Sequence, residues 1–293
     1  DMFKNLLPRI YMIIEEINRR FVLSINEKYG NYDKANEFCA NRGDWITMID
    51  YLEYCALQAL CYIEYANFDN QAALNTNLTS EGFKQGRLGA GVTNLNWERW
   101  TAFNGNNPIV QTYWTAEHNI GNGSTNGDHY ELGNYNVDGS NLNTYPAVYR
   151  GILNFFGDIW TFIRDVVIVN RNANYNSVYL LKKGVNHSDV TIDNIQDKCY
   201  FIGDQVNTNN FITEFDFRFG PYFIPNKVGS NKKADYNWKR GNDGQDTDKA
   251  AHVLLLGGSA HYGSWAGSGY FTSSWVRPYF NATVGFFTTV KLD

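Results

Sequence analysis

Cysteine is scarce in this chain and badly placed for metal. Its four thiols, Cys39, Cys55, Cys61 and Cys199, form no CxxC pair and no histidine cluster accompanies them, so a structural zinc site is not expected. Reduced, partly buried thiols are expected, with one disulfide permitted but not required. Cys55 and Cys61 stand six apart, which on a helix places them on different faces. Long apolar runs are missing too: no stretch reaches the roughly 18 residues of a spanning helix. No signal peptide is read at the start, Asp1-Met2, where a trimmed end stays open. Positive charge is in deficit. The formal charge of −5 argues against a nucleic-acid partner, which needs clustered Lys and Arg to displace counterions. Lys232-Lys233, near Lys227, runs straight into Ala234-Asp235 and reads as a solvated loop.

Catalytic spacing is equally absent. The five histidines, His118, His129, His187, His252 and His261, make no HxxxH or HExxH pattern. Glu131, Asp158 and Asp165 could meet in space, but any acidic protein offers such coincidences. No catalytic residue, metal ligand or cofactor is assigned, and the chain is not expected to be an enzyme. No period of 20 to 50 residues recurs, which excludes a repeat array.

What is present is aromatic and glycine-rich. With 43% hydrophobic and 19% charged residues over 293 positions, the chain has an ordinary globular composition and ample core for one large domain or two small ones. Aromatics reach 16%, and 20 Tyr with 26 Gly suit a loop-rich protein with a binding face.

Taken in order, Arg9–Ile14 and Phe21–Ile25 flank a polar turn and predict a hairpin, with one amphipathic helix as the rival. Asn31 in front and Gly43 behind bracket a short helix over Lys34–Ala40. Thr47 with Asp50 resembles a capping box opening a longer helix, which ends near Asn67. Leu52, Cys55, Ala56, Ala59, Leu60 and Ile63 form its expected core stripe. From about residue 75, Asn-Gly turns such as Asn104-Gly105 and Asn122-Gly123 predict short strands and loops. Asp158–Asp165, Val166–Val169, Val178–Lys182 and Lys198–Ile202 predict strands, and Phe219–Ala250 a long ordered loop. Asn242–Asp248 offers oxygen ligands but lacks the spacing of a calcium loop. The sequons at Asn77, Asn122, Asn186 and Asn281 read as chance in so Asn-rich a chain.

The C-terminal stretch Leu254–Leu292 sets large aromatic residues among small ones, between the apolar runs Leu254–Gly258 and Val284–Phe287. Glycines let the backbone turn where a Cβ would clash, and Tyr and Trp supply contact area at low entropic cost. Tyr149–Trp160 (YRGILNFFGDIW) resembles a segment of C-type-lectin-fold proteins related to formylglycine-generating enzymes. Leu256–Ser259, Gly263-Ser264, Ala266-Gly267 and Val284–Phe286 are similar to the frame of the variable region in target proteins of diversity-generating retroelements, a group that includes phage tropism determinants. Tyr51–Asn67, Gly89–Val92 and Asn96–Thr112 also resemble that group, so the likeness runs from about residue 30 to the end.

The resemblance implies one α+β domain over 1–293, of C-type lectin fold, with two helices, short mixed and antiparallel sheets and long inserted loops. It implies a function too: binding through a surface, within 254–292, that reverse transcription diversifies by rewriting adenines. The implied ligand-binding positions are Ala260, His261, Tyr262, Trp265, Ser268, Tyr270, Phe271, Thr272, Trp275 and Tyr279. The implied frame is Gly257, Gly258, Gly263, Ala266, Gly267, Gly285 and Phe286. The chain departs from the group at Ala260, often aromatic, and at Phe287, often Arg. The expected partner is a protein or surface ligand, such as a host-cell receptor, which points to a virion or a microbial cell surface. The alternatives are a calcium-dependent sugar-binding lectin, whose Glu-Pro-Asn and Trp-Asn-Asp signatures are missing, and a formylglycine-generating-type enzyme, whose C-terminal cysteine pair is missing.

Overall fold

Strand β1 (Val22–Ile25) is followed by two helices, each started by a polar cap. The computed structural model of the chain describes residues 22–25, 31–43, 45–70, 109–110, 135–137, 140–142, 148–149, 152–153, 155–157, 159–171, 174–230, 235–238, 251–259, 262, 265–279 and 284–290. Helix α1 (Tyr32–Ala40) begins where Asn31 Oδ1 accepts the backbone N–H groups of Asp33 and Lys34, at 3.1 and 3.4 Å. Strand β2 (Ile46–Met48) intervenes before helix α2 (Tyr51–Tyr65). The capping box of α2 is Asp50 with Glu53, not Thr47 with Asp50. Asp50 accepts from Glu53 N at 2.9 Å while Glu53 accepts from Asp50 N at 3.1 Å. Thr47 lies in β2 and its hydroxyl meets that of Thr289 at 3.2 Å. The cap is displaced by one box length because a strand claims the earlier candidate.

The core face of α2 is also rotated from the expected stripe. Cys55 and Ala56 of that stripe are buried, together with Tyr51, Tyr54, Leu57, Gln58, Cys61 and Tyr62, whereas Ile63 is 76% exposed and Leu52, Ala59 and Leu60 are half-buried. Three tyrosines can line the core because each tip is satisfied there. Tyr51 donates to Phe223 O at 3.0 Å, Tyr54 to Phe155 O at 3.2 Å and Tyr62 to Asp235 Oδ2 at 2.7 Å.

The rest is mostly strand: β3 (Ile109–Val110), β4 (Tyr135–Val137), β5 (Ser140–Leu142), β6 (Val148–Tyr149), β7 (Ile152–Leu153), β8 (Trp160–Asn170) and β9 (Tyr175–Leu181). A short helix α3 (Ile195–Lys198) leads into β10 (Cys199–Val206), β11 (Asn210–Asp216), β12 (Ile224–Gly229), β13 (Tyr236–Trp238), β14 (His252–Gly257), β15 (Gly267–Val276), β16 (Val284–Phe286) and β17 (Thr288–Val290). Eleven strands form one mixed sheet, so the described architecture is α+β. Two of its ladders, β13 with β15 and β16 with β8, are parallel; its others are antiparallel. The predicted strands over 158–169 are one continuous β8.

Strand β8 organises the sheet. Its Thr161 pairs Leu256 of β14 on one edge and Gly285 of β16 on the other. Further along, Val167 pairs Val253 of β14 and, across from it, Tyr179 of β9. From β10 the order runs β9, β8, β14, β15, β13, β11, β12, and the two ends curl toward each other. Gly203 of β10 permits the approach: a Cβ there would stand 2.7 Å from Ile224 Cδ1 of β12.

The stretch 219–250, expected as loop, contains β12 and β13. Pro225 hid the first of these, yet β12 is the last strand in the sheet order, an edge where a missing N–H is tolerated. Of the hairpin expected at the start, the described residues include β1. Strand β1 pairs β16 and β3, while its proposed partner over 9–14 lies outside the described residues. So do 89–92, the acidic loop 242–248 and, apart from Ile109-Val110 in β3, the motif over 96–112.

Candidate ligand-binding face

Strand β15 carries five of the ten expected display positions, and it is an interior strand. Phe271 pairs Leu256 of β14 and Asn237 of β13, and Thr272 pairs Leu255 and Trp238. With a neighbour on each edge and packing on both faces, the strand has no solvent side over this length. Ser268, Tyr270, Phe271 and Thr272 are each 0% exposed. This corrects the expectation for those four: their side chains are core, and none meets a ligand in this conformation. Phe271 joins the cluster around Leu254, Leu256 and α2. Tyr270 lies against Trp160, ring centroids 4.5 Å apart.

The remaining described candidates, Tyr262, Trp265 and Tyr279 beside β15 and Trp275 near its end, reach the surface, and β13 adds two aromatics that sequence reasoning missed. Trp265, 38% exposed, stacks on Tyr236 at 4.5 Å and 11°. Tyr262 packs between Trp265 at 6.3 Å and Trp238 at 5.3 Å, and its inner side meets Trp160. Trp275 and Tyr279 stack at 3.8 Å and 9°. All but Trp265 are half-buried, so these rings form a tier with its lower edge on the core and its upper edge in water. Ala260, His261 and Gly263 lie outside the described residues.

The frame positions have the geometry that small residues require. Gly257 and Gly258 take φ of 97° and 78°. A Cβ on Gly258 would lie 2.7 Å from the Tyr270 ring, with Ala266, 4% exposed, at 3.1 Å. Gly285 pairs Ser24 and Thr161, and Phe286 is 4% exposed.

Beneath the tier lies a buried carboxylate. Asp235, 3% exposed, opens β13 and accepts from Tyr62 Oη at 2.7 Å, Gly269 N at 2.5 Å and Asn70 Nδ2 at 2.9 Å. Ser268 Oγ donates to Asn70 Oδ1 at 3.0 Å, and Gln58 Nε2 to Tyr62 Oη at 2.8 Å. A Cβ on Gly267 or Gly269 would overlap the carboxylate, so those glycines make its slot. Burial raises the Asp235 carboxyl to about 7 against the pull of its donors. Among the described residues no Lys, Arg or His side chain is a hydrogen-bond partner of it.

The signal for β13 was present in inverted form. Asp235 and Asn237 point inward, at 3% and 0% exposure, while Tyr236 and Trp238 point outward. Strand reasoning looks for apolar-in, polar-out alternation; this strand has the reverse, because its inward side chains are held by hydrogen bonds. Asn237 accepts from Gln205 Nε2 at 2.7 Å and donates to Val206 O and Thr208 O, both at 2.9 Å.

The four cysteines are all buried and in no disulfide, and burial raises the thiols of Cys55, Cys61 and Cys199, the last to about 11. Among the described residues no helix is long and apolar enough to cross a membrane. Neither a protein-family model nor a curated protein matches the chain.

Proposed function

We propose that the chain is a ligand-binding protein of C-type lectin type, whose C-terminal region presents a diversified surface to a receptor or another surface ligand on a host cell. The observation that carries this reading is the stack of Trp265 on Tyr236, continued by Tyr262 and Trp238 and flanked by the Trp275–Tyr279 pair. Half-exposed Tyr and Trp clustered on a rigid strand frame have the composition and placement of an interface hot spot. The resemblance of the glycine frame to retroelement targets supports the same reading. Among the described residues the substitutable positions at the surface are Tyr262, Trp265, Trp275 and Tyr279, beside Tyr236 and Trp238 of β13; Ala260 and His261 stay in the set and lie outside the described residues.

Panning a displayed peptide and protein-domain library on the immobilised chain tests it. Binders selected on the native chain should lose at least tenfold in affinity for Trp265→Ala and Tyr262→Ala, and keep it for Arg218→Ala. Binders indifferent to both aromatic variants would sink the reading. In the genome, a reverse transcriptase gene beside an adenine-differing copy of the segment coding for 254–292 is the matching expectation.

A further inference from the structure

A second concavity, sharing no residue with the aromatic tier, opens between α1, β2, β8 and the turn at 185–188, with a volume of about 370 Å³. Its floor is closed by Tyr32 and His187, 1% and 5% exposed, whose rings lie 5.2 Å apart. Its lining includes the aliphatic side chains of Ile46, Leu181 and Val185. The same lining includes the polar side chains of Arg164, Asn186 and Ser188, with Asp33. A part-apolar pocket with a few convergent polar groups is the usual form of a small-molecule site.

Arg164 decides the chemistry. Its side chain is 30% exposed, and its ion pair to Asp50 is long at 3.5 Å, against the 2.7–2.9 Å of a charge-assisted bond. Its Nε is itself buried and has no hydrogen-bond partner among the described residues. Two further carboxyls act on it, Glu53 and Asp165, each raised to about 7 by burial and pulled back down by the Arg164 charge. Asp33 at the rim is occupied with Arg277 at 3.4 Å. His187 is pushed down to about 4 by burial and stays neutral. Arg164 is thus the cation on the described lining, and its match is incomplete. A guanidinium pairs best with a planar carboxylate.

We propose that this cavity binds a small amphipathic monocarboxylate, its carboxylate on Arg164 and its alkyl or aryl part against Ile46, Leu181 and Val185. The fit requires both halves: a bare anion leaves the aliphatic side chains wet, and a neutral analogue leaves the guanidinium unmatched.

Hexanoate, acetate, hexanamide and hexylammonium are titrated onto the full chain by ligand-observed NMR and by thermal melting. Hexanoate should bind at least tenfold more tightly than the other three and raise Tm by a few degrees when near saturation. Val185→Trp, which crowds the aliphatic lining and leaves the guanidinium in place, should abolish this, and Arg164→Gln should weaken it at least tenfold. Trp265→Ala should leave it unchanged, which separates this site from the aromatic face. Hexanoate binding no better than hexanamide, or surviving Val185→Trp in a chain of native circular dichroism, overturns the proposal. The amide comparison uses the unaltered protein and decides the matter even where Arg164→Gln fails to fold.

Discussion

The hydroxyl of Tyr62 donates to the carboxylate of Asp235 at 2.7 Å, and both side chains are buried. One hydrogen bond thereby ties the principal helix to the strand that carries Tyr236 and Trp238. Because the same oxygen also accepts from Gly269 N, the tie extends to β15. The aromatic tier is held from below by a polar clamp.

Stability should fall as pH rises from about 4 to about 7. An unfolded aspartate ionises near 3.8, whereas folded Asp235 keeps its proton to about 7. Within that window the unfolded chain has lost a proton that the folded chain retains, so unfolding gains. Asp165 and Glu53 are raised in the same direction and add to the slope. Asp235→Asn should flatten part of it, read from urea midpoints between pH 4 and 8. An unchanged slope in that variant would contradict the assignment.

Removing the carboxylate is worse than neutralising it. Asp235→Ala orphans the donors of Tyr62, Asn70 and Gly269 in the interior, at a cost of about 3–5 kcal/mol. Asp235→Asn keeps an acceptor oxygen and should cost far less. Thermal melts of the two variants at pH 5 measure the gap.

Gly267→Ala and Gly269→Ala should each destabilise by about 3 kcal/mol or more, since the new methyl would overlap Asp235. At Gly184 a Cβ meets nothing within 4 Å, though φ is +80°. Only backbone strain of about 1 kcal/mol is expected from Gly184→Ala. Comparable losses at all three positions would deny the slot.

Phe271→Ala should cost about 3–5 kcal/mol as a core truncation. Trp265→Ala, at the exposed end of its stack, should stay under about 1.5 kcal/mol. Urea denaturation of both variants tests whether display and core divide at the surface of β15.

Iodoacetamide should label none of the four thiols in the native chain and all four in urea. Each is buried, and raised thiols offer little thiolate at neutral pH. Rapid native labelling, read by intact mass, would refute that burial.

Local chemistry was legible without the fold. Asn31 caps α1 because a side-chain oxygen satisfies nearby N–H groups whatever lies beyond. Apolar, β-branched runs became β8, β9, β14 and β16, since such residues fit a pleated surface in many contexts. Glycines at 257 and 258 announced backbone that a Cβ would obstruct.

Long-range pairing settled the rest. Whether Phe271 is display or core depends on β14 and β13 closing over it from both sides, which its own neighbours in sequence do not encode. The face of α2 turned inward because distant acceptors, Phe223 O, Phe155 O and Asp235, made tyrosine tips burial-competent. Strand β13 escaped notice because its inward residues are polar, and polarity inside is admissible only where tertiary structure supplies the partners. Propensity is a property of each residue and its near neighbours. Burial is a property of what the folded chain brings to either side.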